Sequence, residues 1–248
     1  MRNLQGISWK ARKEGRGHYE SDRGLKKILF EKGADLAGVG SLKGVKNCQF
    51  QTGVSVAVAL PGNVIRDLQD GPTEEYYHLY GTLNEKLNQI VAAGEAFLKA
   101  QGYEAYAQTT DRVVVNEENI SPIPHKTVAA RAGLGWIGKN CLLVTPQYGS
   151  AVRISSLLTN APLDEEEAIL KSRCGGCRAC VEKCPAQALK GTLWEAGMPR
   201  KEIVDAEACY QKQLEIMYER TGIRTDLCGK CFAVCTYTQK YLQSLSEE

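Results

Sequence analysis

An α/β front part followed by a small iron-sulfur module of ferredoxin type is the fold class this sequence predicts, and three observations predict it. Seven cysteines fall into two tight runs near the C-terminus, Cys174-x2-Cys177-x2-Cys180-x3-Cys184-Pro185 and Cys228-x2-Cys231-x3-Cys235. Helical and strand-like apolar patterns alternate ahead of them, the arrangement of a layered sheet with helices on its faces. The run Asn160-Ala161-Pro162-Leu163-Asp164 has the composition of a link between the two parts. The expected division is 1–163 for the α/β domain and 164–248 for the cysteine module.

The elements follow in order. Leu25, Ile28 and Leu29 stand at helical spacing after a Ser21 or Asp22 cap, and Gly33 closes that helix. Ala34 to Gly40 and Val54 to Leu60 read as short strands. The second is a nearly continuous run of β-branched and small apolar residues ended by Pro61-Gly62, as a central strand would be. From Thr73 to about Ala100, Tyr76, Tyr80, Leu83, Leu87, Ile90, Val91, Gly94, Phe97 and Leu98 recur near a period of 3.6 residues, and Gly102 follows. This is one long helix whose aromatic stripe packs into the core. Tyr103 to Ala107, Cys141 to Thr145 and Val152 to Thr159 are further strands, separated by Pro146 and Gly149.

Composition narrows the class. The chain of 248 residues has ordinary apolar and charged fractions. It has no stretch near the roughly 18 apolar residues that a membrane span needs. Met1 to Lys13 is polar and basic rather than a secretory leader, so the cysteines are expected in a cytoplasmic, metal-binding setting rather than in disulfides. A formal charge of +2 selects no partner, but Lys10, Arg12, Lys13, Arg16, Arg23, Lys26 and Lys27 make the N-terminal segment basic. That segment reads either as a nucleic-acid surface or as a solvated face.

The cysteine spacing is that of a two-cluster 4Fe-4S ferredoxin. Two-residue gaps on a tight loop bring three thiolates to one cubane, and the Cys before proline ligates the other cluster. Cys174, Cys177 and Cys180 are therefore assigned to one cluster and Cys184 to the other. If the second run mirrors the first, Cys228 and Cys231 join Cys184, and Cys235 crosses back to complete the first set. The second set then lacks one ligand, and Cys209 is the remaining Cys of the C-terminal third. A zinc site on Cys177, Cys180, Cys228 and Cys231 would leave four of these eight without a role. Cys48 and Cys141 are assigned no chemistry.

Gly133-Leu134-Gly135-Trp136-Ile137-Gly138 formally matches the dinucleotide fingerprint, but the segment before it reads as helix and the segment after it as strand, the reverse of that motif's context. Three close glycines still require a sharp turn or a close approach to the backbone. The run from Ala129 through Gly133, Gly135, Trp136, Gly138, Lys139 and Asn140 to Leu143, then Gly149-Ser150 and Leu157-Leu158-Thr159-Asn160, together with the double cysteine pattern and Cys209, resembles epoxyqueuosine reductase. More distantly it resembles the reductive dehalogenases. The resemblance covers roughly residues 20 to 240.

That resemblance implies a nitroreductase-like α+β domain that binds a corrinoid of the cobalamin type beside two 4Fe-4S clusters, which reduce the cobalt. It implies that Gly133, Gly135, Trp136, Gly138, Lys139, Asn140 and Ser150 hold the corrin or its nucleotide tail. Two departures limit it. Where the family carries its proton-donating Asp, this chain has Asn119, in Asn119-Ile120-Ser121-Pro122, and Asn carries no titratable proton. His125, Lys126, Glu118 or Tyr106 are the replacements within reach, and His125 has the most suitable ordinary pKa. The tRNA-reading reductases also continue into a helical-repeat extension, whereas this chain ends at Glu248 soon after Cys235.

Three functions follow as expectations. The first is a corrinoid-dependent reductase that takes electrons from a low-potential donor, of ferredoxin or flavodoxin type, to a small organic substrate. The second is an electron-transfer or cobalamin-handling protein that serves a corrinoid on a partner and turns over no substrate itself. The third is epoxyqueuosine reduction on tRNA.

Overall fold

The computed structural model describes residues 22–115 and 121–246. Helix α1 runs through residues 22–31 and buries Leu25 and Leu29. Gly33 at φ +93° then lets the chain reverse, with the Ala34 amide donating to the Leu29 carbonyl, the ending a C-terminal glycine provides. Strands β1 (Leu36–Ser41) and β2 (Thr52–Ala59) pair antiparallel. After the short α2 (Gly62–Asp67), the long α3 (Glu74–Ala100) begins at Thr73, whose hydroxyl accepts from the Tyr76 amide as an N-cap. Strand β3 (Ala105–Ala107), helix α4 (His125–Arg131), the hairpin strands β4 (Trp136–Ile137) and β5 (Leu143–Val144), and β6 (Val152–Thr159) complete the front part.

The main sheet has the order β1-β2-β6-β3 and every pair is antiparallel, so the front part is α+β rather than a parallel α/β sheet. Strand β2 is central, as its composition predicts, and seven of its eight residues are buried. Two-sided burial explains that run. Val54, Val56 and Val58 enter the core beneath α3, while Gly53 lies under Val128 of α4 on the opposite face. Helix α4 ends directly on β1. A Cβ on Gly40 would come within 2.3 Å of the Arg131 backbone, and one on Gly38 within 2.4 Å of the Ala132 carbonyl oxygen. Those two glycines permit the approach.

The segment expected to become a strand at Cys141 to Thr145 is strand only at Leu143–Val144. The preceding residues form the β4–β5 turn, in which the Cys141 amide donates to the Gly138 carbonyl at 2.9 Å and Cys141 takes φ +60°.

The chain after Thr159 is no loose link. Leu163 is buried in the main core, the Glu166 amide donates to the Val39 carbonyl, and the Val39 amide donates back to the Glu166 carboxylate. Lys26 closes on that carboxylate at 2.7 Å and on Asp22 at 3.3 Å. Lys27 pairs with Glu31. Two members of the basic N-terminal segment thus have carboxylate partners, and Lys10, Arg12, Lys13 and Arg16 lie outside the described residues.

The cysteine module comprises α5 (Ala179–Glu182), α6 (Ala206–Thr221), α7 (Lys230–Ala233) and α8 (Thr236–Ser244). One apolar core runs across the 163/164 boundary. Met217, Leu227, Phe232, Ala233 and Leu242 pack with Leu29, Val56, Ile90 and Leu98, and the Phe232 ring meets Tyr76 edge-on at 5.9 Å. Among the described residues no helix is long and apolar enough to cross a membrane.

Candidate iron-sulfur centres

The two cysteine runs fold alike. In each, a four-residue helix carries the last Cys but one: Cys180 lies in α5 and Cys231 in α7, and these two helices pack together. In each, the last Cys follows directly after that helix, with Cys184 beyond α5 and Cys235 serving as the N-terminal boundary of α8. Gly229 at φ +83° and Gly175 at φ +53° supply the left-handed turns that bend the ligand loops. Cys209 arrives on the first turn of α6, which Asp205 caps by accepting from the Ala208 amide at 3.0 Å.

Folding sorts the eight thiols into two groups. Cys174, Cys177, Cys180 and Cys235 line one cavity together with Lys139, Asn140, Val144, Thr236 and Tyr237. Cys184, Cys209, Cys228 and Cys231 lie near one another. Burial pushes the Cys209 thiol up to about 11, and its neighbours Cys184 and Cys228 add to the effect. Burial likewise raises Cys231, with Cys228 and Cys209 next in weight. In the first group burial pushes Cys180 up to about 12, with Cys235, Cys174 and Cys177 contributing. Thiols crowded and desolvated in this way hold their protons until a cation of high charge displaces them, the behaviour of a metal-binding set. Each group of four draws on both cysteine runs, and the donors are those of an iron-sulfur cluster. Among the described residues no three His, Cys, Asp or Glu side chains are drawn together as ligands of a single ion.

The glycine-rich segment packs against the first cysteine loop. Trp136, 1 % exposed, donates from its indole Nε1 to Cys174 Sγ at 3.4 Å. Lys139 donates from Nζ to the carbonyls of Gly175 at 2.8 Å and Cys177 at 2.9 Å. Asn140 donates from its side chain to Ser150 Oγ and accepts from the Leu142 amide, holding the turn. The glycines are filled by the chain itself. A Cβ on Gly135 would stand 2.1 Å from the Val144 carbonyl oxygen, one on Gly138 would stand 2.6 Å from the Val144 side chain, and Gly133 faces the Glu167 backbone. Of this segment, Lys139 and Asn140 line the first thiol cavity and Trp136 bonds to its Cys174. At Gly133, Gly135 and Gly138 the space that a Cβ would need is taken by the chain itself.

His125 opens α4, and its Nδ1 lies 2.8 Å from Ser156 Oγ. Ser156 spends its own proton on Gln108 Oε1, so the imidazole Nδ1 is the donor to Ser156. Burial, aided by the Arg153 charge, lowers His125 to about 4. The ring is neutral near pH 7, which removes the expected advantage of an unperturbed histidine as proton donor. Lys126 is engaged with the Cys141 carbonyl at 2.9 Å and its Sγ at 3.2 Å, and Tyr106 donates to the Arg112 carbonyl. Asn119 and Glu118 lie outside the described residues. Nothing in the residue order signals the contacts of Trp136 and Lys139 with the cysteine loop. A lysine beside glycines reads as exposed, and only the hairpin turns it inward.

Comparison with known proteins agrees with this geometry. A family described as "4Fe-4S double cluster binding domain" matches residues 173–238. An epoxyqueuosine reductase of Lactococcus garvieae is 34 % identical over 67 % of this chain and 42 % of its own length, and one of Bacillus cereus is 37 % identical over 55 % and 36 %. The chain thus spans less than half the length of these relatives. In fold, a crystal structure of epoxyqueuosine reductase matches 89 % of the chain with TM-score 0.58 at 20 % identity, covering 66 % of that structure. A catabolic reductive dehalogenase matches 87 % with TM-score 0.61 at 18 % identity, covering 31 % of that structure. The α+β front part with its appended cluster module is the fold these proteins share, and by sequence the chain is similar to epoxyqueuosine reductases over part of their length.

Proposed function

We propose that this chain is an iron-sulfur oxidoreductase of the epoxyqueuosine reductase type. Cys174, Cys177, Cys180 and Cys235 would hold one 4Fe-4S cluster, and Cys184, Cys209, Cys228 and Cys231 the other. The observation that carries the reading is the sorting of eight thiols into two groups of four, each drawing on both cysteine runs and the second completed by Cys209. Bound there, such clusters store and pass single electrons at low potential. The chain's own residues bury the thiols, bring the two groups together across the packed α5 and α7, and wall the first group with the β4–β5 hairpin.

The electrons enter from a low-potential donor of ferredoxin or flavodoxin type in this reading. A corrinoid is the proposed acceptor, because one of the matched structures is described as a reductive dehalogenase with a mechanism for B12-dependent dehalogenation. No step through it is assigned to residues of this chain. For substrate, epoxyqueuosine in tRNA now stands ahead of the small organic molecule that the motifs alone suggested. The relatives bear that name, and one matched structure is of epoxyqueuosine reductase with an epoxyqueuosine-modified tRNA stem loop.

Anaerobic reconstitution tests the first part: about eight irons per chain are expected, falling to about half in Cys209→Ser, and zinc in their place would refute it. Conversion of epoxyqueuosine in a tRNA stem loop by the reduced protein with added cobalamin tests the second. Electron transfer to a corrinoid without substrate turnover is a second reading, favoured by the neutral His125. Full reduction of added cobalamin with no conversion of the stem loop would select it.

A further inference from the structure

The wall of the first thiol ring contains one buried charge. Lys139 is 6 % exposed and lines the cavity from the β4–β5 turn. Its Nζ has two carbonyl partners, on Gly175 and Cys177, and it enters no ion pair with a carboxylate among the described residues. Neutral carbonyls satisfy the donors of an ammonium but leave its charge uncompensated, which is costly away from water. What the pocket lacks is an anion. On the same wall the Trp136 indole donates to Cys174 Sγ, and Thr236 Oγ1 lies 3.8 Å from Cys177 Sγ.

We infer that Lys139 is the counter-charge of the first cluster and Trp136 its hydrogen-bond donor, so that the glycine-rich hairpin of the α/β part positions this cluster and sets its reduction potential. The inference rests on the reading of these four thiols as cluster ligands. A thiolate-bound cluster is anionic and gains one further negative charge when it accepts one electron from the donor, with no bond made or broken. A fixed ammonium and an N–H···S bond favour the more negative state, and hydrogen bonds to the sulfurs are among the features that set such potentials. The effect is local. In the second group Arg200 stands beside Cys209 and Lys230 beside Cys228, and Lys230 is turned to the carbonyls of Gln69 and Asp70.

The test is a dithionite titration of the anaerobic two-cluster protein, followed by EPR, for wild type, Lys139→Met, Lys139→Arg and Trp136→Phe. In Lys139→Met the reduction equilibrium of one cluster should become about tenfold less favourable, about 59 mV for a one-electron couple, with the other cluster unchanged. Lys139→Arg should restore most of the shift, and Trp136→Phe should move the same cluster in the same direction by a smaller factor. Equal movement of both clusters, or movement of neither, overturns the inference. If Lys139→Met fails to assemble the first cluster, Trp136→Phe and Lys139→Arg decide: an unmoved potential in Trp136→Phe refutes the assignment. Wild-type protein holding far fewer than about eight irons would instead refute the underlying cluster reading.

Discussion

The neutral, buried His125 makes acid sensitivity the sharpest prediction about the front part. Its proton acceptor is Ser156 and its ring is lowered from 6.5 to about 4 by burial and by Arg153. In the unfolded chain the same imidazole takes up a proton near 6.5, so between those two values the unfolded state binds more protons. Stability is then fully present above about pH 6.5 and is lost as pH falls toward 4. The limit of the effect is 6.5 − 4 = 2.5 pK units, about 3 kcal/mol. At pH 5.5 the loss relative to pH 7.5 is about 1.4 kcal/mol. Asn at this position keeps a donor near the place of Nδ1 and cannot be protonated. Urea unfolding of wild type and His125→Asn, at matched cluster content and at both pH values, measures the difference. Wild type should lose about 1.4 kcal/mol more than the variant. Equal losses would show that His125 is not held neutral by the fold.

Three further outcomes follow from packing. Gly135→Ala puts a Cβ 2.1 Å from the Val144 carbonyl oxygen, a backbone atom that cannot swing aside. It should cost about 3 kcal/mol and lower the thermal midpoint. Gly81 in α3 has open space where a Cβ would stand. Gly81→Ala should therefore raise stability by about 0.5–1 kcal/mol in the same melt, as helix propensity dictates. Phe232→Ala removes the ring that meets Tyr76 across the 163/164 boundary. A loss of about 3–5 kcal/mol is expected, with the front part and the cysteine module unfolding in one transition by circular dichroism and by cluster absorbance.

Some of this architecture is legible in the residue order, and the reasons are physical. Strand β2, strand β6 and helix α3 stand out because each buries a run or a face of apolar residues, and burial imposes a period or an apolar run. The grouping of cysteines rests on short covalent spacing. Cys209 could be placed by counting alone. The antiparallel order of the sheet leaves no mark on any single strand. Nor does the shared core: Phe232 and Leu242 read as local apolar residues until Tyr76 and Ile65 are seen beside them. The glycine-rich run is instructive. Its composition announces that something comes close, yet cannot say what, and the structure brings the chain's own Val144 carbonyl and cysteine loop against it.

The reciprocal lending of thiols between the two runs fixes an order of events during synthesis. When a ribosome has released Cys184, the earlier ring still waits for Cys235, and the later ring has only its first member. Each becomes whole at nearly the same moment, once α7 and the start of α8 have emerged and docked on the front part. On the proposed ligand sets, metal delivery would be a late step of biogenesis, and a chain cut anywhere before residue 235 would leave the earlier ring incomplete.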